Sequence, residues 1–347
     1  MESIDMHDYG WRGECAPDIA RVTAVHRERY ELICERGEAH GFLKPGEYRL
    51  GAQPYPTAGD FVRIEFNPAG DSRIVETLPR ASLLSRREAG PLAREQAVAA
   101  NFDYALLVTS LNRDFNPRRL ERYLTVAYDS GATPVVILTK ADLCPDCGPK
   151  IAAVMSIAPG VDVHAVSAHT GQGMDAVRAY ARPGATLVLV GSSGVGKSSL
   201  INALAGEELM RVNVTRSVDA SKGRHTTTHR QLLMLPGGAM IIDTPGMRQL
   251  GMWCAEEDVG RAFEDVEEVL ARGCRFADCR HESEPGCAVR AALMSGELSP
   301  ERWSNYLELR REARFSEERD AALREKNARF KDIARYAREM NKARRGH

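Results

Sequence analysis

One glycine-rich stretch has the composition and spacing of a phosphate-binding loop. It reads Gly-Ser-Ser-Gly-Val-Gly-Lys-Ser and lies between the apolar run Thr186 to Val190 and the helical pattern Ser199 to Leu204. A strand, a glycine turn and a helix start in this order direct several backbone N–H groups and the helix dipole at one point, where phosphates bind. In such a loop the lysine reaches the β- and γ-phosphates and the serine hydroxyl binds Mg²⁺. The predicted phosphate-binding residues are Gly191, Ser192, Ser193, Gly194, Val195, Gly196, Lys197 and Ser198.

A Thr-Lys-Ala-Asp segment at the end of the apolar run Pro134 to Leu138 indicates which nucleotide base the protein would bind. A carboxylate there can accept both N1–H and N2–H₂ of guanine, whereas adenine offers neither donor in that geometry. A Ser-Ala pair after the next predicted strand is placed to give a backbone N–H to guanine O6. Ligands bind at the carboxyl ends of strands in open parallel sheets. The predicted guanine-binding residues are Thr139, Lys140, Ala141, Asp142, Ser167 and Ala168.

Two further segments predict the magnesium and γ-phosphate contacts. Asp243-Thr244-Pro245-Gly246 follows Met240 to Ile242. Its carboxylate would hold Mg²⁺ through water, and the Gly246 N–H would meet the γ-phosphate. The polar stretch Lys222 to His229 carries three threonines, of which Thr227 would complete the Mg²⁺ shell when GTP is bound; a plain solvated loop is the alternative. The predicted magnesium ligands are Ser198, Thr227 and Asp243.

The residue after this segment bears on the rate of hydrolysis. Met247 stands where many GTPases place the Gln that orients the attacking water. A thioether is a weak hydrogen-bond acceptor, so we expect slow intrinsic hydrolysis. The missing group would come from His225, from His229 or from a partner. The predicted catalytic residues are Lys197, Thr227, Gly246 and His225.

The five elements occur in the order base, base, phosphate, switch, switch, a circular permutation of the usual phosphate, switch, switch, base, base. In this order the sequence resembles the RsgA (YjeQ/YloQ) family of circularly permuted, ribosome-associated GTPases, from about residue 19 to about residue 340. The resemblance implies GTP hydrolysis in late maturation of the small (30S) ribosomal subunit, contact with 16S rRNA, and stimulation by the subunit. The family pattern usually begins the base-reading element with Asn. Thr139 keeps a hydroxyl but lacks the amide fork, which predicts guanine preference with lower affinity.

The region before the GTPase elements predicts a small barrel. Five short strands with Gly and Pro breaks are typical of an OB-type barrel, a fold that commonly binds RNA, with a ligand-free structural domain as the alternative. The predicted strands are Ile19–Val25, Tyr30–Cys34, His40–Leu43, Asp60–Phe66 and Arg73–Leu78. Basic side chains expected to be exposed and compatible with phosphate contacts are Arg21, Arg27, Arg29, Lys44, Arg49 and Arg63.

A cluster of soft ligands near the C-terminus has the pattern C-x4-C-x-H-x5-C. The residues Cys274, Cys279, His281 and Cys287 match a closed, tetrahedral zinc site that leaves no open catalytic position. The intervening segment is poor in apolar residues, so metal binding would supply folding free energy there. The family resemblance implies zinc at these positions, one structural ion per chain. Cys144 and Cys147 lack a second close pair, and we interpret them as incidental thiols.

Two predicted helices follow, Pro300 to Arg314 and Ser316 to Arg345. Basic residues concentrate late in the second helix, where they would contact RNA phosphates; a solvated, salt-bridged helix is the alternative.

Composition bounds the class of protein. The 347 residues are 43% hydrophobic and 27% charged with a net charge of −1, values ordinary for a globular protein of two or three domains. Bulk charge predicts no nucleic-acid partner, so any basic surface must be local. Neither a membrane span nor a signal peptide is expected, which favours the cytoplasm. Cysteines there are free or bound to metal rather than paired in disulfides.

The sequence therefore predicts a multidomain protein: an N-terminal OB-type β-barrel, a central α/β circularly permuted P-loop GTPase domain and a C-terminal helical zinc-binding domain. The expected boundaries are 1–18 for an N-terminal extension, 19–80 for the barrel, 81–100 for a linker, 101–252 for the GTPase domain and 253–347 for the zinc-binding domain. A monomer is expected, with GTP and GDP as ligands. A GTP-gated RNA-binding module with little catalytic role is the main alternative. A third possible function is that of an unrelated P-loop ATPase or kinase. Asp142 and the 243–246 segment argue against it.

Overall fold

The computed structural model describes residues 3–26, 29–44, 48, 53–87, 95–112, 115–210, 231–243 and 256–314. The chain forms two compact units. The first comprises Met1–Tyr48 and Ala52–Gly251, and the second comprises Arg49–Gly51 and Met252–His347.

The first five strands of the first unit close into the expected OB-type barrel. They are β1 (Ile19–Val25), β2 (Tyr30–Cys34), β3 (Gly37–Leu43), β4 (Phe61–Glu65) and β5 (Ser72–Thr77). The strand order β1-β2-β3-β5-β4 is closed by pairing of β4 with β1, and only the β3–β5 pair is parallel. Alternating apolar residues such as Val22, Leu32 and Ile74 fill the interior, as the period-two pattern of the strands requires.

Arg21 corrects one expectation about the barrel surface, because it is fully buried and not exposed. Its guanidinium donates to the backbone oxygens of Tyr9, Gly59 and Asn101 and contacts the Met240 sulfur at 3.2 Å. Desolvation lowers the pKa of Arg21 to about 10. The outer face of β1 is therefore covered by other parts of the first unit, and Arg21 holds them together instead of contacting a ligand.

The segment interpreted as a linker contains a two-stranded antiparallel sheet. Strand β6 (Leu83–Arg87) pairs with β7 (Glu95–Ala100). Ala99 and Ala100 are buried, so these strands pack as part of the first unit.

A six-stranded sheet carries the nucleotide-binding motifs. Its strands are β8 (Tyr104–Ser110), β9 (Thr133–Thr139), β10 (Asp162–Ala165), β11 (Thr186–Val190), β12 (Gln231–Met234) and β13 (Met240–Asp243). The order is β10-β9-β8-β11-β13-β12, with every pair parallel except β12–β13. The helices are α1 (Pro117–Asp129), α2 (Gly148–Ile157), α3 (Met174–Arg178) and α4 (Lys197–Ala205), with a 3₁₀ turn at Ala141–Leu143. Parallel strands bury both faces, which explains their continuous apolar runs.

The barrel and the sheet are joined edge to edge. Ala24 of β1 pairs with Gln231 of β12, and Gln231 pairs in turn with Asp243 of β13. One continuous set of backbone pairings therefore connects the barrel with the strand that ends at the predicted magnesium ligand.

The second unit is helical. Helices α5 (Glu256–Ala262), α6 (Glu264–Ala271) and α7 (Ala288–Ser295) precede α8, which covers residues 300–314. Arg302 is buried and holds the Asp265 carboxylate through two hydrogen bonds of 2.9 and 2.6 Å, with its guanidinium over the Phe263 ring. The second predicted C-terminal helix, with its basic residues, lies outside the described residues.

Within the residues that the structure describes, no helix combines the length and apolarity needed to cross a lipid bilayer.

Candidate functional site

The predicted ligand-binding segments meet at one edge of the six-stranded sheet. Residues 139–142 begin at the last residue of β9, residues 167 and 168 follow β10, the glycine-rich loop follows β11, and Asp243 ends β13. These four strands are parallel, so their carboxyl ends lie together. This is the edge where open α/β sheets bind ligands.

The glycine-rich loop has the backbone that its sequence predicts. Gly194 and Gly196 have φ of +80° and +104°, a region that disfavours other residues. A side chain at Gly191 would meet the Val108 carbonyl oxygen at 2.4 Å, so the loop passes directly over β8. Helix α4 begins at Lys197, directly after Gly196. The Lys197 amino group donates to the Gly191 and Ser192 backbone oxygens at 2.6 and 2.7 Å. The loop surrounds its own lysine, as a phosphate cradle does.

The predicted base-reading segment, residues 139–142, is tied to the predicted phosphate-binding loop by two side chains. The Thr139 hydroxyl is buried and lies within hydrogen-bonding reach of the Val195 oxygen and, at 3.2 Å, of the Thr109 oxygen. The Lys140 amino group bonds to the Gly194 oxygen at 2.7 Å, from a residue with φ of +60°. Thr139 therefore spans the gap for which the family pattern uses Asn, with one hydroxyl in place of an amide.

Thr139→Val should weaken nucleotide binding about tenfold, because it keeps the shape of the side chain but leaves the Val195 oxygen without its donor. Calorimetric titration with GDP measures this. Thr125→Val is the matched control, since the Thr125 hydroxyl is also buried but, among the residues that the structure describes, bonds only to the Glu121 oxygen of its own helix. Equal affinities in the Thr139 variant and the wild type would contradict the bridging role.

The remaining base-reading groups face the same edge. The Asp142 side chain is exposed and, among the described residues, makes no hydrogen bond or ion pair. Ser167 is buried, and its hydroxyl accepts the Thr170 N–H at 3.2 Å, which fixes the turn after β10. The Ala168 N–H has no acceptor within the described part of the chain. A free carboxylate and a free N–H are the groups that guanine recognition needs.

The predicted magnesium ligands are described only in part. Ser198 lies in the first turn of α4 and is half-buried, as is Asp243 at the end of β13. Strands β11 and β13 are parallel neighbours, with Val188 opposite Ile242. Ser198 and Asp243 therefore lie at the same edge of the sheet. His225, Thr227 and Gly246, like Met247, lie outside the described residues.

Two residues of α1 that sequence reasoning missed also contact the phosphate loop. Arg119 donates to the Ser192 hydroxyl at 2.8 Å, and the Tyr123 hydroxyl lies 3.1 Å from it. The only local signal is their i, i+4 spacing, which places them on one face of the helix.

The second unit contains a four-ligand cluster with the dimensions of a zinc site. The ligand atoms of Cys274, Cys279, His281 and Cys287 all lie within 4.8 Å of one another. The His281 Nδ1 is 3.5, 3.6 and 3.4 Å from the three sulfurs, and the Cys274 and Cys287 sulfurs are 3.8 Å apart. Tetrahedral zinc has bonds of about 2.3 Å to sulfur and about 2.0–2.1 Å to nitrogen, which place sulfur and nitrogen about 3.5 Å apart and two sulfurs about 3.8 Å apart. The donor set and its spacing fit zinc.

Backbone N–H groups support this cluster. The Ala288 and Arg290 N–H groups donate to the Cys274 and Cys287 sulfurs at the start of α7, and the Ala288 bond is the main cause that lowers the pKa of Cys274. The Glu284 carboxylate accepts three backbone N–H groups of the intervening loop. These bonds lower the pKa of Glu284 to about 2. Thiolate sulfurs at a helix N-terminus are stabilised in the form that binds metal.

Two other groups of thiols and polar side chains differ from this cluster. The Cys144 and Cys147 thiols bond to nearby backbone oxygens. Asp5, His7 and Cys15 also have ligand atoms within 4.8 Å of one another, but all three are exposed. The His7–Asp5 distance of 2.8 Å is that of a hydrogen bond.

Comparisons with known proteins agree with this geometry. The model of the RsgA GTPase family matches residues 77–253. "Small ribosomal subunit biogenesis GTPase RsgA 1" of Listeria innocua is 46% identical over 327 residues, covering 93% of this chain and 92% of that protein. "Small ribosomal subunit biogenesis GTPase RsgA" of Streptomyces avermitilis is 45% identical over 331 residues, covering 91% and 87%.

Solved structures agree as well. The crystal structure of YjeQ from Thermotoga maritima superposes with a TM-score of 0.62 at 26% identity, covering 85% of this chain and 98% of that chain. The crystal structure of YloQ, described as a circularly permuted GTPase, gives 0.57 at 25% identity, covering 85% and 94%.

Proposed function

The chain belongs to the RsgA GTPase family, and on that premise we propose that it hydrolyses GTP during late maturation of the small (30S) ribosomal subunit. Relatives that match over nine-tenths of the chain carry the name small ribosomal subunit biogenesis GTPase. The barrel and the cysteine–histidine cluster provide the additional elements that a factor acting on an RNA-protein particle needs beyond its GTPase sheet.

One observation carries the nucleotide assignment: Thr139 and Lys140 bond directly to the phosphate loop. Base-reading and phosphate-binding segments that are more than fifty residues apart in sequence are thereby joined at one edge. A nucleoside polyphosphate spans such a junction with its base on one segment and its phosphates on the other.

In this assignment each residue has one role. Asp142 accepts the guanine N–H donors, and the Ala168 N–H faces O6. Lys197 binds the β- and γ-phosphates, while Ser198 and Asp243 would hold Mg²⁺. The ion would supply charge neutralisation at the phosphates. Thr227, Gly246 and His225, outside the described residues, complete the proposed site.

We assign the barrel to contact with 16S rRNA. Lys44 is exposed and unpaired among the described residues. Arg29 and Arg63 are about half exposed and pair with carboxylates, Arg29 with Asp71 and Arg63 with Asp18. Exposed pairs of this kind contribute little to stability, so RNA phosphates can replace the carboxylates.

The Cys274–Cys287 segment is proposed to bind one structural zinc ion per chain, because four protein ligands complete its coordination. We propose that the protein acts as a monomer in the cytoplasm, where ribosomal subunits mature.

The test is GTP hydrolysis by the full chain alone, with small subunits, with large subunits and with naked rRNA. Because Met247 cannot orient water, small subunits should raise kcat by about a hundredfold or more, and large subunits should not. Lys197→Ala is the blank that measures contaminating hydrolysis. No selective stimulation by small subunits would remove the ribosomal assignment. Tight binding to small subunits with low turnover would support a GTP-gated RNA-binding module instead.

A further inference from the structure

Helix α1 places an arginine against the phosphate loop from outside the known motifs. Arg119 Nη1 donates to the Ser192 hydroxyl at 2.8 Å, and Tyr123 reaches the same oxygen at 3.1 Å. Ser192 is the second residue of the loop, which lies more than seventy residues further along the chain. Two side chains of one helix thus converge on one hydroxyl of the loop.

The helix holds Arg119 rigidly. The Asn116 side chain caps α1 by accepting the Arg119 N–H at 3.2 Å, and Pro117 opens its first turn. Leu120 and Leu124 are buried beneath the helix. Rotamers carried by a capped, packed helix are held more precisely than those on a loop.

Two cations meet at this one residue. The Lys197 amino group bonds to the Ser192 carbonyl oxygen at 2.7 Å, while Arg119 bonds to its hydroxyl. Over the ranges that the structure describes, no carboxylate pairs with Arg119. Two positive groups beside a loop that binds anions repel each other unless an anion lies between them.

The guanidinium also has donors to spare. It carries five N–H groups in a planar fork, and Ser192 is the only acceptor among the described residues. A fork of this kind binds phosphate oxygens in pairs.

We propose that Arg119 is a further phosphate-contacting residue of this GTPase: one N–H holds Ser192, and the others bind the γ-phosphate of GTP. In hydrolysis, water attacks the γ-phosphorus as its bond to the β–γ bridging oxygen breaks, giving GDP and inorganic phosphate. Negative charge develops on the bridging and γ-phosphate oxygens, and a fixed guanidinium stabilises it. The proposal rests on the assignment of residues 191–198 as the phosphate loop.

The test compares kcat without ribosomal subunits, and affinities for GDP and a non-hydrolysable GTP analogue, across matched variants. Arg119→Ala should lower kcat about a hundredfold and weaken the analogue about tenfold more than GDP. Ser192→Ala removes only the acceptor and should lower kcat by less than about tenfold. Arg118→Ala, an exposed neighbour on the same helix, should stay within about twofold of the wild type.

Arg119→Gln separates charge from position, because its amide can still donate to Ser192. The kcat of Arg119→Gln should fall as far below the wild-type value as that of Arg119→Ala. If the alanine variant folds poorly, Arg119→Gln alone tests the proposal. Wild-type kcat in Arg119→Gln, equal losses in Arg119→Ala and Ser192→Ala, or equal weakening of GDP and analogue would each overturn the proposal. Lys197→Ala reports on the loop itself. Unchanged GTP binding in that variant would refute the nucleotide site. Absence of stimulation by ribosomal subunits would contradict the ribosomal role but not the proposed role of Arg119.

Discussion

Cys279→Ser is expected to strip zinc from the protein and to unfold its second unit. The serine hydroxyl is a poor zinc ligand at neutral pH, because metal affinity here depends on thiolate sulfur. The loop between Cys274 and Cys287 is largely polar. Its hydrogen bonds include three backbone N–H groups on the Glu284 carboxylate, the Arg275 N–H on the Gly286 oxygen, and the Arg290 guanidinium on the Ser283 oxygen. Without the metal, only hydrogen bonds of this kind, each worth about 1 kcal/mol, would hold the loop closed.

The expected loss of stability follows from the free energy that zinc binding contributes to folding. Structural zinc contributes about 10–16 kcal/mol of binding free energy in zinc-finger peptides, more than the net stability of many whole domains at about 5–15 kcal/mol. The buried apolar residues of the second unit include Phe263, Val289 and Tyr306. Loss of one ligand should therefore melt helix α7, whose N-cap residue is the predicted ligand Cys287.

Zinc content by mass spectrometry and limited proteolysis measure this outcome together. The wild type should carry one zinc ion per chain and resist cleavage between residues 274 and 295, and Cys279→Ser should do neither. Cys147→Ser is the matched control, a partly exposed cysteine in the first unit that should leave both readouts unchanged. Retention of zinc by Cys279→Ser with a protease-resistant second unit would contradict the assignment.

Local sequence signals predicted the strands that position the site. Runs such as Pro134 to Leu138 and Leu187 to Val190 are apolar at every position because both faces of a parallel strand are buried. The residues that form the turn after each run follow it closely in the sequence. One of them, Gly196, has the positive φ that its position before α4 requires. The structure contains β9 and β11 where these signals place them. The barrel follows in the same way from alternation within short strands.

Contacts between distant segments could not be read from the sequence. Arg21 alternates with the core residues Ala20 and Val22 and was expected in solvent, but its face of β1 is covered by Tyr9 and Met240. Apart from its i, i+4 spacing with Tyr123, Arg119 gives no local sign of its contact with Ser192, which depends on the adjacency of β8 and β11 in the sheet. Such contacts follow from sheet order, and permutation makes that order harder to infer from sequence.

The permuted order also places the base-reading segment before the phosphate loop, and guanine specificity should depend on Asp142 within it. Asp142→Asn is expected to lower GTP affinity on the order of a hundredfold, because two charge-assisted hydrogen bonds are lost. It should raise affinity for xanthosine triphosphate, whose C2 carbonyl accepts from the Asn amide while the amide oxygen accepts the N1–H. The base preference should therefore reverse.

Hydrolysis should survive this reversal, because Lys197 and the rest of the phosphate loop are unchanged. Competition titrations with GTP and xanthosine triphosphate, followed by turnover of each nucleotide, test both parts. Asp175→Asn is the control: the carboxylate is exposed and, within the described part of the chain, pairs only with Arg178 on α3, so the same loss of charge should leave preference unaltered. A variant that still prefers GTP, or that binds neither nucleotide, would place guanine recognition elsewhere. Turnover of xanthosine triphosphate by Asp142→Asn would show that base reading and phosphate chemistry are separable, as expected of two segments that Thr139 and Lys140 join within the described residues.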